Sequence, residues 1–188
     1  MKYPKIRSIY KREDGKFTKE FSLPEFAYLQ NNNWLITEKI NGTNIRVIYE
    51  EGKVSFKGRT DNAQIPQPLL DVLDQIFVDN MFENMILFME GVGPKIQSKD
   101  FKEYDIILFD AFCNIWLEYE SIKEIAYLLK INCAPIICTS SLHYAIGLCQ
   151  NGFISNLGNF GAEGVVCRTN LRSRHGDRII TKIKCKDF

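Results

Sequence analysis

Apolar and polar positions alternate along this chain in short β-type runs, punctuated by three stretches of helical period. The run Trp34-Leu35-Ile36 leads into Thr37-Glu38-Lys39-Ile40-Asn41-Gly42-Thr43-Asn44, and the β-branched alternation of Ile45, Val47, Ile48 and Tyr49 leads out. Lys39 therefore sits where one predicted strand stops, a Gly-containing turn intervenes and another strand starts. Ile45–Glu50 and Val54–Lys57 flank Glu50-Glu51-Gly52-Lys53, which predicts a hairpin. A polar loop, Lys57-Gly58-Arg59-Thr60-Asp61-Asn62, closes it.

Pro66 and Pro68 open a helix whose core face is Leu69, Leu70, Leu73, Ile76 and Phe77. Ile86–Glu90 reads as a strand ending in a carboxylate before Gly91. Asp105–Phe112 reads as a buried strand, from which Ile115–Leu117 hairpins back. Ser121-Ile122-Lys123-Glu124 has capping-box spacing and predicts the start of an amphipathic helix. Pro135–Cys138 is a short strand. Ser140 or Ser141 caps a helix through Leu142, Ala145, Ile146 and Cys149, stopped by Gly152. After the loop Asn151–Gly161 come a strand from Ala162 to Arg168, a basic loop Leu171–Arg178 and a final strand Ile179–Lys186. The first thirty residues lack clear periodicity and read as an arm packed on the domain, with a turn at Asp14-Gly15.

Alternation in the final strand puts Ile179, Thr181, Ile183 and Cys185 on one face and Lys182, Lys184 and Lys186 on the other. Aligned lysines repel one another unless something anionic lies against them. The same row also reads as an edge strand guarded against aggregation.

Composition narrows the class. With 188 residues, 45% of them hydrophobic, the chain is expected to form a single domain over 1–188 with an ample core. A net charge of +1 means that nucleic-acid binding must come from local clusters. No apolar run reaches the ~18 residues of a membrane span, and the start of the chain does not read as a signal sequence. Six cysteines without a Cys-x-x-Cys pair suit buried thiols in a reducing cytoplasm, and two scattered histidines suggest no metal cage.

A Lys-x-x-Gly spacing is expected about once by chance in a chain this long, so its partners decide its meaning. They are a loop arginine (Arg59), two carboxylates beside glycines (Glu90, Glu163), a strand phenylalanine (Phe109) and the lysine row. No Ser/His/Asp grouping, Cys/His pair or Gly-rich phosphate loop competes with them. A lysine amine must lose its proton to attack, and neighbouring cations such as Lys182 and Lys184 favour that loss. The same cations neutralise charge on a phosphoryl group under attack. The carboxylates suit a magnesium ion held through water, or ribose hydroxyls, and Phe109 suits stacking on a base.

Glu38-Lys39-x-x-Gly42-Thr43-Asn44, Arg59, Glu90-Gly91, Phe109-Asp110, Glu163-Gly164-Val165-Val166 and Lys182-x-Lys184 resemble, in this order, the motifs of covalent nucleotidyltransferases. The likeness is to ATP-dependent RNA ligases of the RNA-ligase-2-like branch, especially small stand-alone ones, and it runs from Tyr3-Pro4-Lys5-Ile6 to Lys186-Asp187-Phe188. It implies an α/β (α+β) nucleotidyltransferase fold, ATP-grasp-like, in which two mostly antiparallel sheets flank a nucleotide pocket with helices outside. It also implies ATP and Mg2+ (or Mn2+) as cofactors, and an RNA partner with 5′-phosphate and 3′-hydroxyl ends. By the resemblance Lys39 is the nucleophile, and Glu38 and Asn44 position the nucleotide. Arg59 contacts AMP or the 5′-phosphate, Glu90 the ribose or a metal-bound water, and Phe109 the adenine. Glu163 contacts a metal-bound water, and Lys182 and Lys184 the α-phosphate. Asp110 reads equally as a hydrogen-bonding residue at a strand end.

The sequence stops after the last lysine strand, where many such relatives continue into another domain. The expectation is a lone adenylyltransferase domain in which Arg168, Arg172, Arg174 and Arg178 track RNA, or in which a helper protein assists. A solvated basic loop is the equal alternative for Arg172–Arg178. A GTP-using capping guanylyltransferase, a DNA ligase and a non-catalytic nucleotide- or RNA-binding module stay open as alternatives.

Overall fold

The computed structural model describes residues 1–97 and 99–188. In chain order the elements are β1 (Arg7–Ser8), β2 (Tyr10–Glu13), β3 (Lys16–Phe21), α1 (Pro24–Tyr28) and β4 (Trp34–Glu38), then β5 (Thr43–Glu50), β6 (Lys53–Gly58) and α2 (Gln67–Ile76). They continue with β7 (Ile86–Val92), β8 (Asp105–Cys113), β9 (Ile115–Trp116), α3 (Tyr119–Leu129) and β10 (Asn132–Cys133). Last come β11 (Ile136–Ser140), α4 (Leu142–Asn151), β12 (Gly164–Arg172), β13 (Arg178–Lys184) and a 3-10 turn, Cys185–Asp187. This mixed α/β architecture agrees with the expected class.

Two compact units divide the chain: Met1–Tyr3 with Asn41–Ala134, and Pro4–Ile40 with Pro135–Phe188. The second unit is built on a sheet of order β1-β13-β12-β4-β11, antiparallel except for β1 beside β13. One sheet face is apolar because alternate residues point the same way: Trp34 and Ile36 on β4, Val165 and Cys167 on β12, Ile179 and Ile183 on β13. Phe26 of α1 and Leu142, Ala145 and Cys149 of α4 close that core. Helix α4 starts where expected, since Ser141 accepts the Tyr144 N–H at 3.3 Å, and it stops at Gly152 (φ 68°).

The other unit carries β10-β8-β7-β5-β6, with β9 paired to β8. Ile45, Val47 and Tyr49 of β5 and Leu87 and Met89 of β7 are buried in its core with Leu69 and Leu73 of α2. Helices α2 and α3 pack on β8. The Glu51-Gly52 turn (φ 52° and 76°) makes the expected hairpin of β5 with β6.

Three expectations need correction. The N-terminal arm is a two-stranded ribbon, β2 with β3, turning at Asp14-Gly15, and it is preceded by β1 on the main sheet. Its residues are mostly exposed, so no hydrophobic period marked it. Helix α3 begins at Tyr119 rather than at a Ser121 cap, because the nearly buried Tyr119 anchors the first turn through a hydroxyl bond to the Ala134 carbonyl. The final strand ends at Lys184, and Lys186 leaves the row in the 3-10 turn. β13 is also not a sheet edge, being paired with β12 and, at Thr181 and Lys182, with β1.

Candidate active site

Strand alternation turns Glu38 and Lys39 to opposite sides of β4. The Lys39 N–H donates to the Gly164 carbonyl at 2.9 Å, which ties the end of β4 to β12. Its side chain, on the face opposite the apolar core, donates from Nζ to Glu163 Oε2 at 2.6 Å and to the Ile40 carbonyl at 3.3 Å. Lys184 donates from Nζ to Glu163 Oε1, also at 2.6 Å. One carboxylate thus bridges two lysines that lie 145 positions apart in sequence (184 − 39), one lysine per oxygen.

Register explains the convergence. β12 lies between β4 and β13, with Gly164 opposite Lys184, and Val165 opposite both Glu38 and Ile183. The Glu163 carbonyl accepts the Cys185 N–H at 2.9 Å, so this carboxylate stands at the mouth of the ladder just before Gly164. Lys182, two residues before Lys184, lies on the same face; opposite it on β12 is Val166, which faces Thr37 of β4.

Burial works to raise the Glu163 carboxyl, but the charge of Lys39 and the hydrogen bonds from Lys184 and Lys39 hold it below the ordinary carboxylate value. A depressed native value contributes stability that is complete above the unfolded value of about 4.3 and is lost as pH falls through the native one. Glu163→Gln is therefore expected to destabilise the fold by about 2 kcal/mol at pH 7. The difference in Tm from the parent should close as thermal melts are taken from pH 5 toward pH 3. A gap that stays constant with pH would remove the charge pairing as its cause.

Glu38, expected to position the nucleotide, faces the apolar side of β4. It is 3% exposed, on the core face, and both carboxylate oxygens are engaged: Oε1 accepts from Ser155 Oγ at 2.5 Å and Oε2 from the Asn156 N–H at 2.9 Å. Ser155 Oγ in turn accepts the Leu157 N–H at 3.0 Å. Glu38, next to Lys39 in sequence, thus holds the 155–157 loop. Ser155 and Asn156 lie in a glycine- and asparagine-rich stretch without periodicity, so sequence offered no sign of them.

Four expected residues belong to the other unit. Asn44 on β5 faces Glu90 on β7 directly across the ladder, and Asn44 Oδ1 is buried without a hydrogen-bond partner. An orphaned acceptor of this kind costs free energy unless something donates to it or a cation sits against it. Gly42 has a packing reason, since a Cβ there would lie 2.3 Å from the Gly91 carbonyl oxygen and 2.9 Å from Glu90 Cγ. Glu90 is not at a strand end, because β7 continues to Val92. Arg59 is exposed just after β6, in a loop held by Arg46. That arginine is 1% exposed and donates to the Gly58 carbonyl (2.8 Å), Asp61 Oδ1 (2.8 Å) and the Met1 carbonyl (3.1 Å). A charge interrupting the apolar run Ile45–Val47 was the sequence signal for Arg46. Phe109 is a bulge residue: Phe88 faces Asp110 and Met89 faces Leu108, which leaves Phe109 as the extra residue of β8. Asp110 is fully buried within β8, where its Oδ1 accepts the Ala111 N–H and its Oδ2 the Tyr3 hydroxyl.

Among the described residues no cluster of three or more His, Cys, Asp or Glu side chains forms a metal cage. All six cysteines are free thiols. By donor chemistry the Glu163 carboxylate in one unit, and the Glu90 carboxylate opposite Asn44 in the other, are each of the oxygen type that a hard, water-keeping cation such as magnesium takes. Of the arginines, Arg168 stands on the Lys39 face, opposite Leu35. Arg172 and Arg178 face each other at the far end of the β12–β13 hairpin, and Arg174 lies in its tip.

The RNA ligase family model matches residues 32–184. No curated protein matches the chain. Solved structures of a Naegleria gruberi RNA ligase are similar in fold. An apo mutant has TM-score 0.68 at 16% identity over 86% of this chain and 52% of that one. A mutant with ATP and Mn has TM-score 0.67 at 15% identity over 86% and 52%. A form with pyrophosphate has TM-score 0.67 at 17% identity over 97% and 61%. The chain spans about half to three fifths of the length of these proteins.

Proposed function

The chain belongs to the RNA ligase family, and from that membership we propose that it joins RNA ends at the expense of ATP, with Lys39 as the covalent nucleophile. One observation carries the reading: Lys39, Glu163 and Lys184, drawn from three strand ends, meet in one salt-bridged cluster. An amine held beside a second cation, on a sheet face that also carries Lys182 and Arg168, suits attack on a polyanion.

In the first step Lys39 Nζ loses a proton and forms a bond to the α-phosphorus of ATP; the bond to the bridging oxygen breaks and pyrophosphate leaves. AMP then passes to an oxygen of the RNA 5′-phosphate, breaking the N–P bond and restoring the lysine. Finally a 3′-hydroxyl attacks that phosphate and AMP departs. Lys184 and Lys182 face the α-phosphate and offset its growing charge. The triphosphate displaces Glu163 from the two lysines by competing for both, and so frees the carboxylate. Glu163 in its own unit, and Glu90 with Asn44 Oδ1 in the other, would each be able to hold a divalent ion through water, which would supply charge neutralisation on the phosphates. Phe109 stacks on the adenine, and Arg59 meets AMP or the 5′-phosphate. Glu38 acts through the loop it grips. Arg168, Arg172, Arg174 and Arg178 offer a phosphate track, which makes RNA binding salt-dependent. Binding of ATP and manganese by structurally similar Naegleria proteins supports the choice of nucleotide and ion. Assignment to the RNA-ligase-2-like branch and to the cytoplasm belongs to the same reading.

The test is incubation of the purified protein with magnesium and α-labelled ATP or GTP. Label retained after denaturation from ATP but not from GTP is the expected result; no covalent label from either nucleotide points to a binding module. Sealing of a nicked duplex and of single strands by the protein alone then shows whether a helper protein is needed. Arg59→Ala should keep most of the labelling and lose sealing by about tenfold or more, the scale of one charge-assisted contact. Normal sealing by that variant would take Arg59 out of the site.

A further inference from the structure

Arg46 is a buried cation within β5, set between the buried residues Ile45 and Val47. Directly across the ladder stands Lys57 of β6, a second cation. Stability gives little reason to keep a guanidinium there. Burying a charge is expensive even when it is paired, and an apolar side chain of similar volume often does as well. Where its donors go is therefore the informative point. Nε donates to the Gly58 carbonyl at 2.8 Å, Nη2 to Asp61 Oδ1 at 2.8 Å and Nη1 to the Met1 carbonyl at 3.1 Å. Gly58 and Asp61 stand on either side of Arg59-Thr60.

The loop that carries Arg59 is tight at its neck. The Ala63 N–H donates to the Thr60 carbonyl at 3.2 Å, and a Cβ on Gly58 would lie 2.8 Å from Ala63 Cβ. The hydrogen bond from Arg46 holds the Asp61 carboxyl below its ordinary value. Arg59 is exposed, and a long exposed side chain on a free loop would lose much entropy on meeting a phosphate. We infer that Arg46 is a positioning residue for Arg59: anchored inside the sheet, its fork grips the loop on both sides of Arg59 and presents that side chain from a fixed backbone. This rests on the proposed contact of Arg59 with AMP or the 5′-phosphate. An arginine suits the task because its planar fork reaches two acceptors in a fixed geometry, whereas a lysine ammonium is a point charge.

The test compares two variants. Arg46→Met keeps a long unbranched side chain and removes the fork. Asp61→Ala cuts one arm of the fork at a half-exposed side chain and leaves the core alone. Each is measured for nucleotide labelling and for sealing of a nicked RNA duplex, in the parent and in an Arg59→Ala background. Labelling should stay within about twofold of the parent, and sealing should fall about tenfold in Arg46→Met and about threefold in Asp61→Ala, the first being the scale of one charge-assisted contact. Charge alone predicts the opposite for Asp61→Ala, since removing a carboxylate from a phosphate-binding loop favours a polyanion. In Arg59→Ala protein neither change should slow sealing further. Sealing at or above the parent rate in Asp61→Ala, while Arg59→Ala loses it, overturns the inference alone. So does a full multiplication with Arg59→Ala, or a loss of labelling equal to that of sealing, each of which marks a bond that serves only the fold. If Arg59→Ala itself seals at the parent rate, the role of Arg59 fails and the inference falls with it.

Discussion

Lys39→Arg is expected to fold, melt near the parent and form no covalent adduct at all. The guanidinium keeps the charge and can pair with Glu163, so the cluster survives. It cannot give up a proton at any workable pH, and an amine that stays cationic has no lone pair to attack phosphorus. Lys39→Ala should be equally silent for the simpler reason that the nitrogen is gone. In both cases nucleotide-dependent labelling should drop by at least about three orders of magnitude, the scale on which loss of a nucleophile differs from loss of a contact. Gel detection of retained label reads this directly, with melting curves as the check on folding. Label on Lys39→Ala would mean that another side chain is the nucleophile, and Lys184, the second lysine on Glu163, would be the first to examine.

The difference between these variants and Glu163→Gln separates chemistry from scaffolding. Glu163 holds Lys39 and Lys184 together, so its loss is read in stability and its pH dependence. Lys39 is read in bond formation.

Much of this cluster was legible from residues alone. Lys39 stood at a break between two alternating runs, Glu163 preceded a glycine and a β-branched run, and Lys182 and Lys184 shared one strand face. Strand period is a local property, so the face of each side chain could be read without knowing its partners. The partners themselves could not. Ser155 meets Glu38 across 117 positions and Tyr3 meets Asp110 across 107, and nothing local to either serine or tyrosine marks such a bond. Register shifts are equally silent: the bulge at Phe109 is a mismatch between two strands, not a feature of either. Local signals were also overruled by tertiary ones, as when Tyr119, bonded to Ala134, drew the start of α3 ahead of the Ser121-x-x-Glu124 spacing. The lysine row was read one residue too long, because Lys186 follows the strand with the same alternation but sits in a 3-10 turn.

Gly164→Ala joins fold to chemistry most sharply. This glycine has φ 151°, a conformation in which a side chain is strained, and it sits opposite Lys184 on β13. A Cβ would lie 2.1 Å from the Ile183 carbonyl oxygen and 2.7 Å from Lys184 Cα. Both are backbone atoms, so no side chain can rotate out of the way. Relief requires β13 to move off β12, which parts the ladder where Lys184 reaches Glu163. Strain and overpacking together should cost about 3–5 kcal/mol, a fall in Tm of roughly 10 °C for a chain of this size. Labelling should fall by tenfold or more in protein that is still folded at the assay temperature, since Lys184 and Glu163 would no longer hold their places about Lys39. Adding Glu163→Gln to Gly164→Ala should then cost less than it does in the parent, because the bond that it removes has already been stretched. A Gly164→Ala protein with parental Tm and parental labelling would mean that β12 and β13 do not approach so closely at this point, and the convergence of Lys39, Glu163 and Lys184 would lose its structural cause.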